Sequence, residues 1–281
     1  MDSEVPTGGS ATGTVGRLGL STYAYFWRWS EANPEPLSLE QMLRDTRDLG
    51  GEVFQICDYP PLEGFGDTEL DRIRDLAADL GLVLETGTRG AAPDHLRRHL
   101  AIAERLGSRL VRSMMRTGPE EPPLDEAPAV LAAVAADYGD RGVELALETY
   151  EQVPTPVLVR LVREVDHPAL GIVLDPGNCV AALEMPADVV AATVPYVKNL
   201  HVKDFAFSRR DGWVGFTLAG ARLGEGLLDY DDMVAQVRPR ERGINQVVEH
   251  WLPWTDDIAT TCRLERQWAE HNLDYLRSRN A

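Results

Sequence analysis

Three carboxylates and one imidazole stand at or near the ends of four short apolar runs. The runs are Val143-Glu-Leu-Ala-Leu-Glu148, Leu170-Gly-Ile-Val-Leu-Asp175, Val197-Lys-Asn-Leu-His201 and Asn245-Gln-Val-Val-Glu249. Hard oxygen donors joined by one nitrogen suit Mn2+, Mg2+ or Co2+ better than a thiolate-loving ion. A single acid at such a position is commonly a helix cap or an ion-pair partner. Four coincident positions facing one cavity are different, because three like charges repel unless a cation neutralises them. A metal-dependent enzyme is the first reading, with one divalent ion, Mn2+ ahead of Mg2+ or Co2+.

Glu148 and Asp175 are 27 residues apart, and Asp175 and His201 are 26 apart, each about one strand-loop-helix-loop unit. The same alternation runs from end to end. Apolar runs end near Ser21, Cys57, Thr86, Met114, Glu148, Asp175, His201 and Glu249, and each is followed by an amphipathic or Ala-rich segment with helix signals. Ser38 is an expected N-cap, and Gly81 and Gly107 are expected stops. Near-continuous apolar strands imply a sheet buried on both faces. Eight such units make an α/β fold, a single (β/α)8 barrel, whose strand C-terminal ends carry chemistry. Residues 1–15, rich in Gly, Ser and Thr, read as a disordered N-terminal tail, and 16–281 as the barrel.

His95, His99 and His271 fall on helix patterns, and His167 falls in a turn before Pro168. His250 follows Glu249 directly and points away from the interior, since successive strand residues alternate. His201 is therefore the imidazole that shares the inward face. Lys203, two residues on, faces inward too, either to polarise a substrate oxygen or to pair with Asp175 or Glu249.

Composition narrows the partners. A net charge of -17 over 281 residues opposes nucleic acid and anionic membranes, while leaving room for a small anion held by local arginines. No run approaches the roughly 18 apolar residues a membrane span needs. Cys57, Cys179 and Cys262 are odd in number and widely spaced, so a reducing cytoplasm is expected and no disulfide framework. Self-association remains open. Arg89, Arg112, Arg116, Arg209 and Arg210 follow strands three, four and seven. A pair of arginines fits a carboxylate or phosphate, although any one of them alone is as easily surface charge. Trp27 and Trp29, with Tyr23, Tyr25 and Phe26, either stack on the apolar face of a sugar or pack the rim. The connection 204–229 reads as a long loop without secondary structure, a lid over the site or else a surface excursion.

The strings Leu147-Glu148-Thr-Tyr, Leu174-Asp175-Pro-Gly-Asn178, Leu200-His201-Val-Lys203-Asp204 and Val248-Glu249 resemble the xylose isomerase-like TIM barrel superfamily of sugar isomerases and epimerases. The resemblance implies one divalent ion bound by Glu148, Asp175, His201 and Glu249, with Glu148 and Glu249 as acid and base. It covers essentially the whole chain after the tail. Many relatives carry a histidine three residues after the aspartate, where this chain has Asn178. His201 to Phe205, with Gly215-Phe216 and Gly224-Glu-Gly226, is similar to a lyase subgroup of 3-oxo-isoapionate decarboxylases. Histidines for a trinuclear nuclease-like site are lacking.

The expectation is a metal-dependent isomerase or epimerase acting on a small ketose or keto-sugar through a metal-stabilised enediolate. A lyase or decarboxylase on a 3-oxo sugar acid is the alternative, and a non-catalytic sugar-binding barrel a third reading. Expected substrate contacts are Asn178, Lys203, Arg209, Glu85, Arg112 and Trp27.

Overall fold

A closed ring of eight parallel strands is what these runs build. In the computed structural model, which describes residues 15–115, 122–212 and 214–280, the strands are β1 (Leu18–Ser21), β2 (Val53–Ile56), β3 (Val83–Gly87), β4 (Leu110–Ser113), β5 (Glu144–Glu148), β6 (Leu170–Leu174) and β7 (Val197–Val202). A hairpin of β8 (Asp204–Arg209) and β9 (Phe216–Ala221) follows, and β10 (Asn245–Val248) returns to the barrel. Parallel pairing of β1 with β10, Leu18 opposite Gln246, closes the ring. The expected eight-unit barrel is what the chain adopts. The expected tail (all but Val15), Arg116 and Trp213 lie outside the described residues.

Helices fill the connections. They are α1 (Phe26–Trp29), α2 (Leu39–Asp48), α3 (Asp67–Leu80), α4 (Pro93–Leu106), α5 (Ala127–Asp140), α6 (Thr155–Val165), α7 (Pro176–Cys179), α8 (Pro186–Thr193), α9 (Tyr230–Val237), α10 (Pro239–Arg242) and α11 (Ile258–Arg279). Ser38 caps α2 in a reciprocal box with Gln41, satisfying two backbone donors. The helices press apolar faces onto outward strand residues such as Leu20, Phe54, Val111 and Leu145, all buried. Among the described residues no helix is long and apolar enough to cross a membrane.

The 204–229 connection corrects one expectation, for two six-residue stretches of it pair as a β-hairpin. β8 and β9 pair antiparallel from Asp204↔Ala221 to Arg209↔Phe216. The segment mixes polar and aromatic residues and so shows no apolar run. Its signal is the Asp211-Gly212 pair, with Gly212 in the left-handed region (φ 82°), between two alternating stretches. The hairpin base is fixed. The Asp204 carboxylate accepts backbone N–H groups from Phe205, Gly224, Gly226 and Leu228 at 2.8–3.0 Å. Gly220 donates to the Trp251 carbonyl at 3.1 Å, so close that a Cβ there would stand 2.6 Å from that oxygen.

The last helix is tied to the first βα loop by a buried acid. Glu265 on α11 accepts the backbone N–H of Trp27 (2.8 Å) and Arg28 (2.9 Å) at the start of α1. Burial raises its carboxyl from 4.5 to about 8. The stability this group contributes is complete below about 4.5 and is lost as pH rises through about 8. Melting temperature is therefore expected to decline across that window. Glu265→Gln leaves one N–H without an acceptor, which costs roughly 1–3 kcal/mol, and should flatten this part of the pH dependence. An unchanged slope in the variant would contradict the assignment.

Candidate active site

Each of the four predicted ligands arrives at the mouth from a different strand. Glu148 ends β5, Asp175 follows β6 and caps α7, His201 is the penultimate residue of β7, and Glu249 follows β10. All four are buried, and one donor atom from each lies within 4.8 Å of the others. The imidazole decides whether this cluster fits a cation. His201 Nε2 lies 2.7 Å from Gln55 Oε1, while Gln55 Nε2 donates to Glu85 Oε2 at 3.1 Å. The amide oxygen can only accept, so Nε2 carries the proton. Nδ1 is left with its lone pair, buried and without a hydrogen-bond partner, 3.4 Å from Glu148 Oε1 and 3.6 Å from Glu249 Oε1. A ligating histidine held by a hydrogen bond from its other nitrogen has this form. The cluster can hold a divalent ion.

Electrostatics say the same. Burial alone would lower the His201 imidazole, yet Glu249 and Glu148 outweigh it and raise it, so the pocket favours positive charge at Nδ1. Burial opposes ionisation of Glu148, but Arg112 and His201 hold its carboxyl well below the usual range. Glu249 is lowered by His201 and Lys203 against the same penalty. Asp175 goes the other way: burial pushes it up to about 6, and Lys203 offsets only part of that.

Three expected substrate residues line the cavity at this mouth, of about 230 Å3, together with Tyr23, Arg89, Tyr150 and Trp251. Asn178 donates to Glu148 Oε1 at 2.7 Å. Lys203 ion-pairs with both Asp175 Oδ2 (2.8 Å) and Glu249 Oε2 (3.1 Å), with its ammonium 4.5 Å from the centre of the Trp251 ring. Arg112 is engaged with Glu148, with Asp58 at 3.1 Å and with the Thr88 carbonyl at 3.0 Å.

The other three are placed elsewhere. Glu85 lies in a layer beneath the ligands, held by Asn245 (2.7 Å), Asn199 (2.9 Å) and Gln55. Trp27 lines a neighbouring apolar cavity of about 580 Å3, its ring N–H bound to the Leu252 carbonyl. The two cavities share Tyr23 and Trp251, and Leu218 of β9 forms part of the second wall. Arg209 stands on the exposed hairpin, 4.7 Å over the Phe216 ring and away from either cavity, and Arg210 is exposed beside it.

Sequence reasoning missed Asp58, Ser21 and Gln55. Asp58 accepts from Arg112, Arg89 and the Tyr23 hydroxyl, and has a left-handed backbone (φ 50°). It lies three residues after the inward Gln55, on the wrong side by alternation, and its left-handed backbone is what turns it to Arg112, so strand periodicity gives no signal for it. Ser21 Oγ donates to Glu249 Oε1 at 3.0 Å. Gln55 announces itself as the one amide within Val53-Phe-Gln-Ile56.

Residues 43–279 match the family described as xylose isomerase-like TIM barrel. The chain belongs to that family. Within known proteins, this xylose isomerase-like barrel is 52% identical over 263 residues to a 3-oxo-isoapionate decarboxylase of Pectobacterium atrosepticum, covering 94% of the chain and 96% of the relative. Solved barrels are more distant. A xylose isomerase-like protein of Mycobacterium smegmatis in complex with magnesium superposes with TM-score 0.68 at 19% identity, covering 94% and 97% of the two chains. A D-psicose 3-epimerase of Clostridium cellulolyticum gives TM-score 0.72 at 13% identity, covering 93% and 98%. Likeness at those identities establishes the fold alone.

Proposed function

We propose that this protein is a divalent-metal-dependent lyase that removes CO2 from a 3-oxo sugar acid. The observation that carries the reading is the 52% identity to a 3-oxo-isoapionate decarboxylase along 94% of the chain, with the ligand cluster intact. The epimerase reading rests on solved neighbours such as the D-psicose 3-epimerase, at 13% identity.

Glu148, Asp175, His201 and Glu249 would hold the ion, and Mn2+ or Mg2+ suits this donor set. When bound, the ion supplies Lewis-acid polarisation of a substrate carbonyl. In a 3-oxo acid the electrons of the breaking C–C bond move into that carbonyl as CO2 departs, leaving an enolate. A proton must then be delivered to the carbon that lost the carboxylate. Both glutamates are held ionised, Glu148 by Arg112 and His201 and Glu249 by His201 and Lys203; of the two, Glu249 has an ammonium to relay a proton from, with Lys203 3.1 Å from its Oε2. Glu249, recharged by Lys203, is the group that delivers the proton. Lys203, Arg112 and the half-exposed Arg89 are the cations on the cavity wall that meet an anionic substrate. Lys203, Arg112 and Arg89 with a divalent ion exceed the four carboxylates of Asp58, Glu148, Asp175 and Glu249 by one charge. That excess suits a substrate which is an anion both before and after CO2 leaves.

The test is incubation of the metal-loaded enzyme with 3-oxo sugar acids and ketoses in D2O, followed by NMR. CO2 release with one deuteron at the vacated carbon is expected. Deuterium exchange next to a ketose carbonyl without carbon loss would return the protein to the isomerases.

Metal removal provides a second check. Chelation should lower the melting temperature, because ligand at 100 times its dissociation constant adds about 2.7 kcal/mol, or about 5 °C for a chain of this size. Added Mn2+ should restore it. A melting curve indifferent to chelator and Mn2+ would remove the metal assignment.

A further inference from the structure

A second group of donors lies outside the barrel mouth. Glu63 is on the 3-10 turn Pro60–Gly64 after β2, and His95 and His99 are four residues apart on one face of α4. Their ring centroids are 4.6 Å apart, and one donor atom from each of the three residues lies within 4.8 Å of the others. His99 is 3% exposed; its Nε2 is 3.3 Å from Glu63 Oε1 and its buried Nδ1 has no hydrogen-bond partner. The three residues line a cavity of about 400 Å3, which shares Tyr23 and Arg89 with the catalytic cavity.

We propose that Glu63, His95 and His99 form a second, separate metal site for a borderline transition ion, Zn2+ foremost, with an open coordination position facing this cavity. Two imidazoles and one carboxylate are the donor set of three-ligand zinc centres. They differ from the three carboxylates and one imidazole at the barrel mouth, so the two sites should sort metals, nitrogen-rich for Zn2+ and oxygen-rich for Mn2+. Burial and the neighbouring His95 lower the His99 imidazole, which keeps it in the neutral form that a ligand needs. Thr88 Oγ1, 2.7 Å from His95 Nε2, fixes one ring. The charge that opposes a cation is Arg98, 3.4 Å from His95 Nδ1, and its exposed side chain is free to swing into solvent. Glu63 is half-exposed, so turning its carboxylate inward costs little desolvation.

The experiment loads the full-length protein with Mn2+, titrates it with Zn2+ and in parallel with Co2+, and counts metals per chain by elemental mass spectrometry. One Mn2+ plus one Zn2+ per chain is expected, and Co2+ in the second position should give the visible absorption of a four- or five-coordinate centre. Glu63→Ala and His95→Ala, neither at a fully buried position, should weaken the second ion by at least about tenfold while leaving the Mn2+ content unchanged. A count that stays at one ion, whether by no uptake or by Zn2+ displacing Mn2+, overturns the proposal. So does a second ion that both variants bind as tightly as the parent.

Discussion

Glu249→Gln is expected to lower turnover about 1000-fold, within the range attributed to a positioned acid or base, with the fold intact. The amide keeps the shape and a weak oxygen donor but cannot hand on a proton. Stability should fall modestly, because the fold favours the charged Glu249 through His201 and Lys203, while Lys203 keeps its 2.8 Å pairing with Asp175. The measurement is single-turnover kinetics beside a melting curve, both with saturating Mn2+. A retired, sugar-binding barrel would show no catalysed carbon loss in the parent, and ligand affinity indifferent to this change.

Arg112→Met is expected to have the largest effect on stability. Arg112 is 2% exposed and pairs with Glu148 and with Asp58, so its loss leaves the buried Glu148 without its guanidinium and Asp58 with Arg89 alone. Breaking a buried pair from one side costs about 3–5 kcal/mol, roughly a 5–9 °C drop in melting temperature for a chain of this length. The double variant with Asp58→Asn should recover part of the loss. A drop under about 1 kcal/mol, the range of an exposed pair, would show that the guanidinium does not carry the network.

Much of this was legible before any coordinates. Eight repeats of strand and helix, and a cluster of three carboxylates and one imidazole at strand ends, follow from periodicity and from alternation of inward and outward residues. Depth along the barrel axis was not legible. Glu85 faces inward, as the alternation requires, but it lies two residues before the end of β3 and so joins the layer below the ligands. Trp27 and Arg209 went astray for another reason: each follows a strand through a segment whose path depends on tertiary contacts. Glu265 draws the first segment toward α11, and Asp204 and Gly220 anchor the second as a hairpin. Asp58 lies off the inward parity set by Gln55 and reaches Arg112 through a left-handed backbone that alternation does not foresee.

The amide layer beneath the mouth bears on how barrels of this kind can lose their chemistry. Gln55 holds the proton of His201 on the lower nitrogen and is itself held by Glu85, in a cluster that Asn199 and Asn245 complete. A paralogue that kept Glu148, Asp175, His201 and Glu249 but carried leucine in place of Gln55 would have an imidazole able to flip or change tautomer. Its four ligand residues would look intact while the donor atom pointed elsewhere. Sorting living enzymes from pseudoenzymes in this family therefore calls for reading the floor of the barrel along with its rim.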